Sequence, residues 1–141
     1  MKTVNPYLYF NGKCEEAFTF YQDIFGGELQ MVRYGDLDDD MNAKGEDSNK
    51  IANSRLPIND HTALLGSDII DSAGPEREYG NDFYINLEID TEEEADRIFH
   101  ELSSDGKVEM PLQDTGWSEK FGMVSDPFGI QWMVMFTGNE N

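Results

Sequence analysis

The clearest strand pattern in the chain lies near its C-terminal end. Residues 121–124 and 130–136 form two apolar runs that are rich in aromatic and branched side chains. Between these runs stand Asp126, which can bond the backbone of its own turn, and Gly129, which can adopt a positive φ. The pattern predicts a β-hairpin, and we expect the rest of the chain to be organised around it.

The second strand of this hairpin is apolar on both faces. Its faces are formed by alternate residues, with Trp132, Val134 and Phe136 on one and Gln131, Met133 and Met135 on the other. A strand of this kind is covered on both sides. If a helix covers the tryptophan face, we expect the face with two methionines and an amide to line a cavity.

The same order of elements is predicted twice along the chain. In the first half, hydrophobic periodicity predicts a strand, a helix and three strands, at residues 4–10, Cys14–Phe25, 28–34, 51–58 and 61–69. In the second half it predicts a strand at 83–89, a helix capped by Thr91, a strand at 108–113 and the hairpin. We therefore predict one domain, 1–141, made of two βαβββ modules at residues 1–70 and 82–141, with a linker at 71–81.

The connection at residues 35–49 is polar and unusually long. Asp36, Asp38 and Asp40 imitate the opening of an EF-hand loop, but Met41 stands where that loop needs glycine. We therefore do not expect calcium.

The connection between the strands at 51–58 and 61–69 contains Asn59 and Asp60. Both residue types tolerate a positive φ, so we predict a two-residue hairpin turn.

Composition and charge narrow the functional classes. The net charge is −19, from 29 acidic and 10 basic residues, with no basic stripe, which argues against nucleic acid and membrane surfaces as partners. No signal peptide and no apolar run of membrane-spanning length is visible, so we expect a cytoplasmic protein. Cys14 is the single cysteine, which excludes an internal disulfide and a cysteine-rich zinc site, and we expect it to be a packing residue.

Three stretches carry a family resemblance: PYLYFNGKCEEAFTFYQDIFGGEL, LLGSD and LQDTGWSEKFGMVSDPFGIQWMV. With the doubled βαβββ order, they resemble the PhnB-like branch of the glyoxalase, bleomycin-resistance and dioxygenase superfamily, whose fold is called the vicinal oxygen chelate (VOC) fold. The resemblance implies an α+β fold in which two βαβββ modules form a curved mixed sheet around a cup, with the helices outside. It does not imply one reaction, because this fold hosts isomerases, dioxygenases, thiol transferases and drug-binding proteins.

The resemblance also implies where a metal would be held. Metal-using members place histidine, glutamine or glutamate on the first and last strands of the modules, and the matching positions here are Asn5, Tyr84 and Met133. None of these is a good ligand, and His61 and His100 have the sequence context of surface groups. We therefore expect no metal and no other cofactor.

Two functional hypotheses follow. The first is a metal-free module that binds a small molecule in a cup, with Trp117 near its rim and a lining of Asn5, Tyr7, Tyr9, Tyr84, Asn86, Gln131, Met133 and Met135. The second is a glyoxalase- or dioxygenase-type enzyme whose non-standard metal site is completed by Glu88, His61 or a second chain. A structural alternative to both is that the aromatic and methionine side chains simply fill the cup. We also expect a homodimer, because the strands that carry Tyr7, Tyr9, Met133 and Met135 offer more apolar surface than one small cup needs.

Overall fold

The computed structural model describes residues 1–39, 41–116 and 119–138. The chain divides into two compact units, Met1–Glu78 and Tyr79–Asn141. None of the helices in the described ranges is long and apolar enough to cross a membrane.

Each unit is built around one α-helix and one four-stranded sheet in its described residues. The first unit contains β1 (Tyr7–Phe10), α1 (Cys14–Phe25), β2 (Gln30–Arg33), β3 (Ile51–Pro57) and β4 (Ala63–Asp68). The second contains β5 (Ile85–Glu88), α2 (Glu92–Ser103), β6 (Lys107–Gln113), β7 (Lys120–Ser125) and β8 (Gln131–Phe136). The strand orders are β1-β4-β3-β2 and β5-β8-β7-β6, so each unit pairs its first and last strands in parallel and the others antiparallel. This confirms the predicted α+β fold of two βαβββ modules with mixed sheets.

In the first unit, α1 packs on one face of its sheet. Leu8 and Phe10 of β1 are buried on this face, while the alternate residues of the strand are exposed. The Phe10 and Phe18 rings meet edge to face, with centroids 6.2 Å apart. Gly66 of β4 permits this packing, because a Cβ on this residue would lie 2.7 Å from Cε1 of Phe18.

The N-terminus of α1 is held by a residue from β4. Lys13 stands at the N-cap position but makes no side-chain cap. The buried Asp68 carboxylate takes its place, since Oδ1 accepts from the N–H groups of Gly12 at 3.0 Å and Cys14 at 2.9 Å. Oδ2 accepts from the N–H of Ile51 at 3.0 Å. One carboxylate therefore joins three separate segments, and its bond to Cys14 satisfies an N–H of the first helical turn that has no partner within the helix.

In the second unit, α2 packs on the face of the sheet that carries Trp132, Val134 and Phe136, all of which are buried. The predicted cap is confirmed, because Thr91 Oγ1 accepts from the N–H of Glu94 at 3.1 Å. These contacts confirm that a helix covers the tryptophan face of β8.

The β7–β8 hairpin is built as the sequence predicts. Asp126 Oδ1 accepts from the N–H groups of Phe128 at 2.8 Å and Ile130 at 3.1 Å, and Gly129 has φ 88°. The same carboxylate makes a bond that the sequence did not predict: its Oδ2 accepts from the indole Nε1–H of Trp132 at 2.9 Å. The turn and the core tryptophan are thereby linked.

Two local predictions are wrong. The loop joining β3 to β4 spans residues 58–62 and is not a two-residue turn, because β3 ends at Pro57, which has no N–H to donate. Neither Asn59 nor Asp60 has a positive φ; instead Asn59 Oδ1 accepts from the N–H groups of His61 and Thr62, both at 2.8 Å.

The first strand is also shorter than predicted, and it begins at Tyr7 rather than at residue 4. At its expected start, the side chain of Asn5 replaces the backbone, with Oδ1 accepting from the N–H of Ala63 at 3.0 Å.

Candidate functional site

Each sheet has a second face, opposite its helix. On the first sheet we call it the tyrosine face, which is formed by the strand positions Tyr7, Tyr9, Gln30, Val32, Asn53, Arg55, Leu65 and Ser67. On the second sheet we call it the methionine face, which is formed by the strand positions Asn86, Glu88, Lys107, Met110, Gln113, Phe121, Met123, Ser125, Gln131, Met133 and Met135.

The tyrosine face exposes two phenol rings that contact each other at a tilt. Tyr7 and Tyr9 remain 44% and 42% exposed, and their ring centroids lie 5.2 Å apart at an interplanar angle of 44°. Val32, at the other edge of the sheet, is 39% exposed. Large apolar side chains at these positions of a strand are ordinarily covered, so this face is a surface on which an apolar molecule can lie.

An arginine lies against this pair. The guanidinium carbon of Arg77 is 4.5 Å from the centroid of the Tyr9 ring, which is within the range of a cation–π contact. The backbone of Arg77 is fixed by Asn11, whose Nδ2 donates to the Arg77 carbonyl at 2.9 Å and whose Oδ1 accepts from the Arg77 N–H at 2.8 Å. Asn11 thus positions Arg77 through both backbone groups at once.

A second arginine occupies the same face. Arg55 pairs across the sheet with Leu65, which pairs in turn with Tyr7. The strand positions of the tyrosine face include no aspartate and no glutamate.

A third phenol lies nearby but is engaged. Tyr34 is buried, and its hydroxyl donates to the carbonyl of Asp68 at 2.8 Å. Burial raises the pKa of Tyr34, and the neighbouring Tyr7, Asp68 and Tyr9 raise it further. Tyr34 therefore supports the edge of the tyrosine face as a neutral phenol.

The methionine face has a different character. Met110, Met123 and Met133 stand side by side in register on β6, β7 and β8, and Asn86 of β5 completes this row. All three methionines are half-buried. Flexible thioether side chains adapt to the shape of whatever apolar group lies on them.

Tyr84 bridges the methionine face. It stands just before the edge strand β5, and its hydroxyl donates to a carboxylate oxygen of Glu109 on β6, the opposite edge strand. This bond raises the pKa of Tyr84. Glu109 could not be predicted from the sequence, because the two residues are 25 positions apart and no local pattern relates them.

Among the sequence-predicted site residues, two amides have structural bonds. Asn5 holds the N–H of Ala63, and Gln131 Nε2 donates to the carbonyl of Phe83 at 2.7 Å. Tyr7 and Tyr9 are brought together, as are Asn86 and Met133. Met135 pairs with Glu88 on the same face, and Trp117 lies outside the described residues.

Comparison with known proteins identifies the family. A model described as the Glyoxalase/Bleomycin resistance protein/Dioxygenase superfamily matches residues 3–134. The chain belongs to this superfamily.

Individual relatives place the chain in the PhnB-like part of the superfamily. It is 32% identical over 140 residues to protein YjdN of Escherichia coli K12, which covers 93% of this chain and 92% of that one. The crystal structure of PA1353 from Pseudomonas aeruginosa is similar with a TM-score of 0.85 and 38% identity, over 95% of this chain and 96% of that one. A Bacillus cereus PhnB protein, described as a putative 3-demethylubiquinone-9 3-methyltransferase, is similar with a TM-score of 0.75 and 26% identity, over 94% and 98% of the two chains. These similarities confirm the resemblance carried by the sequence motifs.

The metal that many superfamily members use does not fit the side chains here. Asn5 Oδ1 is occupied by a backbone N–H, Tyr84 is bonded to Glu109, and Met133 offers a thioether, a poor ligand for the hard or borderline ions of this superfamily. Within the described residues, no three His, Cys, Asp or Glu side chains are grouped so that they could hold a metal ion.

A small cavity in the first unit is not a competing ligand site. It has a volume of about 130 Å³ and is lined by Asn11, Lys50, Ile69, Ile70, Asp71, Gly74, Pro75 and Glu76. Sites for drug-sized ligands measure roughly 300–1,000 Å³. The Lys50 ammonium is also paired with Asp47 at 2.8 Å.

Proposed function

We propose that this PhnB-like superfamily member binds a small, flat organic molecule on an open sheet face, without a metal ion. The observation that carries the proposal is the Tyr7–Tyr9 pair, whose rings are in contact and more than two-fifths exposed on a strand. A pair that merely filled a core would be buried, as Leu8 and Phe10 of the same strand are. Exposed tyrosine rings offer a large apolar contact area together with a polar hydroxyl, which suits them to contact a flat ring.

The methionine face supports the same proposal. Its row of thioethers is apolar and adaptable, and Asn86 and Glu88 provide polar groups along one edge. Apolar surface with a few polar groups is the usual composition of a small-molecule site. We include a cytoplasmic location in the proposal, because the single cysteine leaves no internal disulfide.

The enzyme alternative gains no support from the side chains named for it. His61 is exposed in the β3–β4 loop of the first unit, and Glu88 is exposed on edge strand β5 of the second unit. Neither has two further potential metal ligands grouped with it among the described residues.

Methyl transfer from a nucleotide-like cofactor is also not what we propose. Such cofactors are bound at glycine-rich loops between a strand and a helix. Here the junctions between β1 and α1 and between β5 and α2 are three residues each, residues 11–13 and 89–91, with Gly12 as the one glycine.

The proposal is tested by calorimetric titration with a panel of bicyclic aromatics: 1-naphthoate, 1-naphthalenemethanol and 1-naphthylmethylamine. We expect at least one of them to bind with a Kd below about 1 mM. Replacing both Tyr7→Ala and Tyr9→Ala should weaken that binding at least tenfold, which corresponds to about 1.4 kcal/mol.

Tyr79→Ala is the matched control, because Tyr79 is 45% exposed, like Tyr7 and Tyr9, but belongs to neither face. The control should bind as the wild type does. Failure of every panel member to bind, or equal affinity of the double variant and the wild type, would contradict the proposal.

A further inference from the structure

We infer that the ligand is an aromatic anion, whose ring lies on Tyr7 and Tyr9 and whose negative charge is held by Arg77 and Arg55. This inference rests on the proposed function and adds the charge and orientation of the ligand. It is carried by the distribution of the few cationic side chains in a strongly acidic protein.

The arginines of the chain differ in their ion-pair partners. The chain has four arginines. Arg33 pairs with Glu15 at 2.9 Å and Arg97 pairs with Glu101 at 2.7 Å, both at the surface. In the part of the chain that the structure describes, Arg55 and Arg77 have no carboxylate within ion-pair distance. With 29 carboxylates in the sequence, unpaired arginines at one place indicate a surface kept open for an anion from outside.

The positions of Arg77 and Arg55 relative to the tyrosine pair suit a ring that carries an acidic group. Arg77 lies against Tyr9, and Arg55 lies in the same cross-strand row as Tyr7, with one strand between them. Two strand spacings separate the backbones of Tyr7 and Arg55 by about 10 Å. An arginine side chain is long enough to cover part of this distance, and a bicyclic ring with an acidic substituent can cover the rest. Guanidinium groups favour planar carboxylates, which they bind through paired hydrogen bonds.

The net charge of the chain does not by itself favour an anionic ligand. A protein with a net charge of −19 attracts cations on average. Its net charge alone would therefore predict a cationic ligand. Attraction between exposed charges is largely screened beyond about 10 Å at 0.1 M salt, so the nearest side chains decide the preference. On the strand positions of the tyrosine face those side chains are cationic or neutral. The methionine face, by contrast, carries one acidic and one basic strand position, Glu88 and Lys107.

The backbone of Arg77 is held in place without a ligand. Asn11 binds both backbone groups of Arg77, across 66 positions of sequence. Fixing the backbone of an otherwise exposed arginine lowers the entropic cost of holding its guanidinium in one place. Arg77 forms no ion pair in the described chain that would offset the entropic cost of ordering its side chain. A role of Arg77 in binding is therefore favoured over a role in stability.

The experiment compares 1-naphthoate with 1-naphthalenemethanol, which share a ring system and differ in charge, by calorimetry at 50 mM and 300 mM NaCl. We expect the wild type to bind the naphthoate at least tenfold more tightly, with a smaller preference at the higher salt concentration. Arg77→Gln should remove most of this preference and Arg55→Gln part of it. Affinity for the neutral alcohol should change less than threefold.

Arg97→Gln is the matched control, since it removes an exposed arginine on α2 and should leave the preference unchanged. Arg77→Gln should fold normally, because both bonds from Asn11 go to the backbone of residue 77. If the alcohol or 1-naphthylmethylamine binds as tightly as the naphthoate, or if the Arg77 and Arg55 variants behave like the control, the inference is overturned while the proposed function stands. If no panel member binds, both are overturned.

Discussion

Replacing Asp68 by asparagine tests the most concentrated polar interaction in the fold. The Asp68 side chain is 1% exposed and accepts three backbone hydrogen bonds, from Gly12, Cys14 and Ile51. The exchange is not neutral in this setting, since an amide has one acceptor oxygen where the carboxylate has two. If the amide oxygen keeps the bonds to Gly12 and Cys14, its NH₂ group faces the N–H of Ile51.

The expected loss follows from these bonds. A hydrogen bond to a charged group contributes about 1.5–3 kcal/mol, and one such bond becomes a contact between two donors. Loss of the negative charge at the N-terminus of α1 costs roughly a further 0.3–1 kcal/mol. We therefore expect Asp68→Asn to lower the free energy of unfolding by about 2–4 kcal/mol, out of a total of about 5–15 kcal/mol for a typical domain. Asp68→Ala should lower it more, because all three N–H groups then lose their acceptor.

Urea unfolding followed by far-UV circular dichroism measures the change. Asp60→Asn is the control, because Asp60 is exposed in the β3–β4 loop and should change the unfolding free energy by less than about 0.5 kcal/mol. A value for Asp68→Asn within about 0.5 kcal/mol of the wild type would refute the reasoning, because a buried carboxylate with three donors would then contribute no more than a surface one.

Three further predictions address chemistry and assembly. Burial raises the pKa of Cys14 from 9.0 to about 12, so the neutral thiol stabilises the fold fully below pH 9 and this contribution is lost as the pH rises from 9 to 12. Unfolding free energies between pH 8 and pH 11 should fall more steeply for the wild type than for Cys14→Ala, and parallel curves would contradict this assignment. Elemental analysis after dialysis should find no stoichiometric zinc, nickel, iron or manganese, because Asn5, Tyr84 and Met133 stand at the ligand positions; one equivalent would revive the enzyme alternative. Light scattering at micromolar concentration should give about twice 16.1 kDa for the predicted homodimer, and a monomer mass that persists at high concentration would exclude it.

Local chemistry in the sequence was sufficient for the elements and their order. The helix at Cys14–Phe25, the cap at Thr91 and the β7–β8 turn at Asp126 were each predicted from residues within one or two turns of chain. The buried and exposed sides of β1 follow from alternation, which is a property of any strand with one covered face. The doubled order of these elements and the motifs then indicated the superfamily.

Partners distant in sequence were decided by the tertiary structure alone. From the sequence, Asp68 was predicted only as a residue near the end of a strand. It accepts backbone hydrogen bonds because folding brings Gly12 and Ile51 to it from 56 and 17 positions away. Arg77 reads as part of a linker, and its place beside Tyr9 depends on Asn11, a turn residue 66 positions away. Periodicity describes which face a residue occupies but not which other residue meets it there, because register and close approach are set when the sheets pair and pack. The tyrosines of the candidate site were therefore visible in the sequence, whereas the arginines that give this face its charge became visible only in the fold.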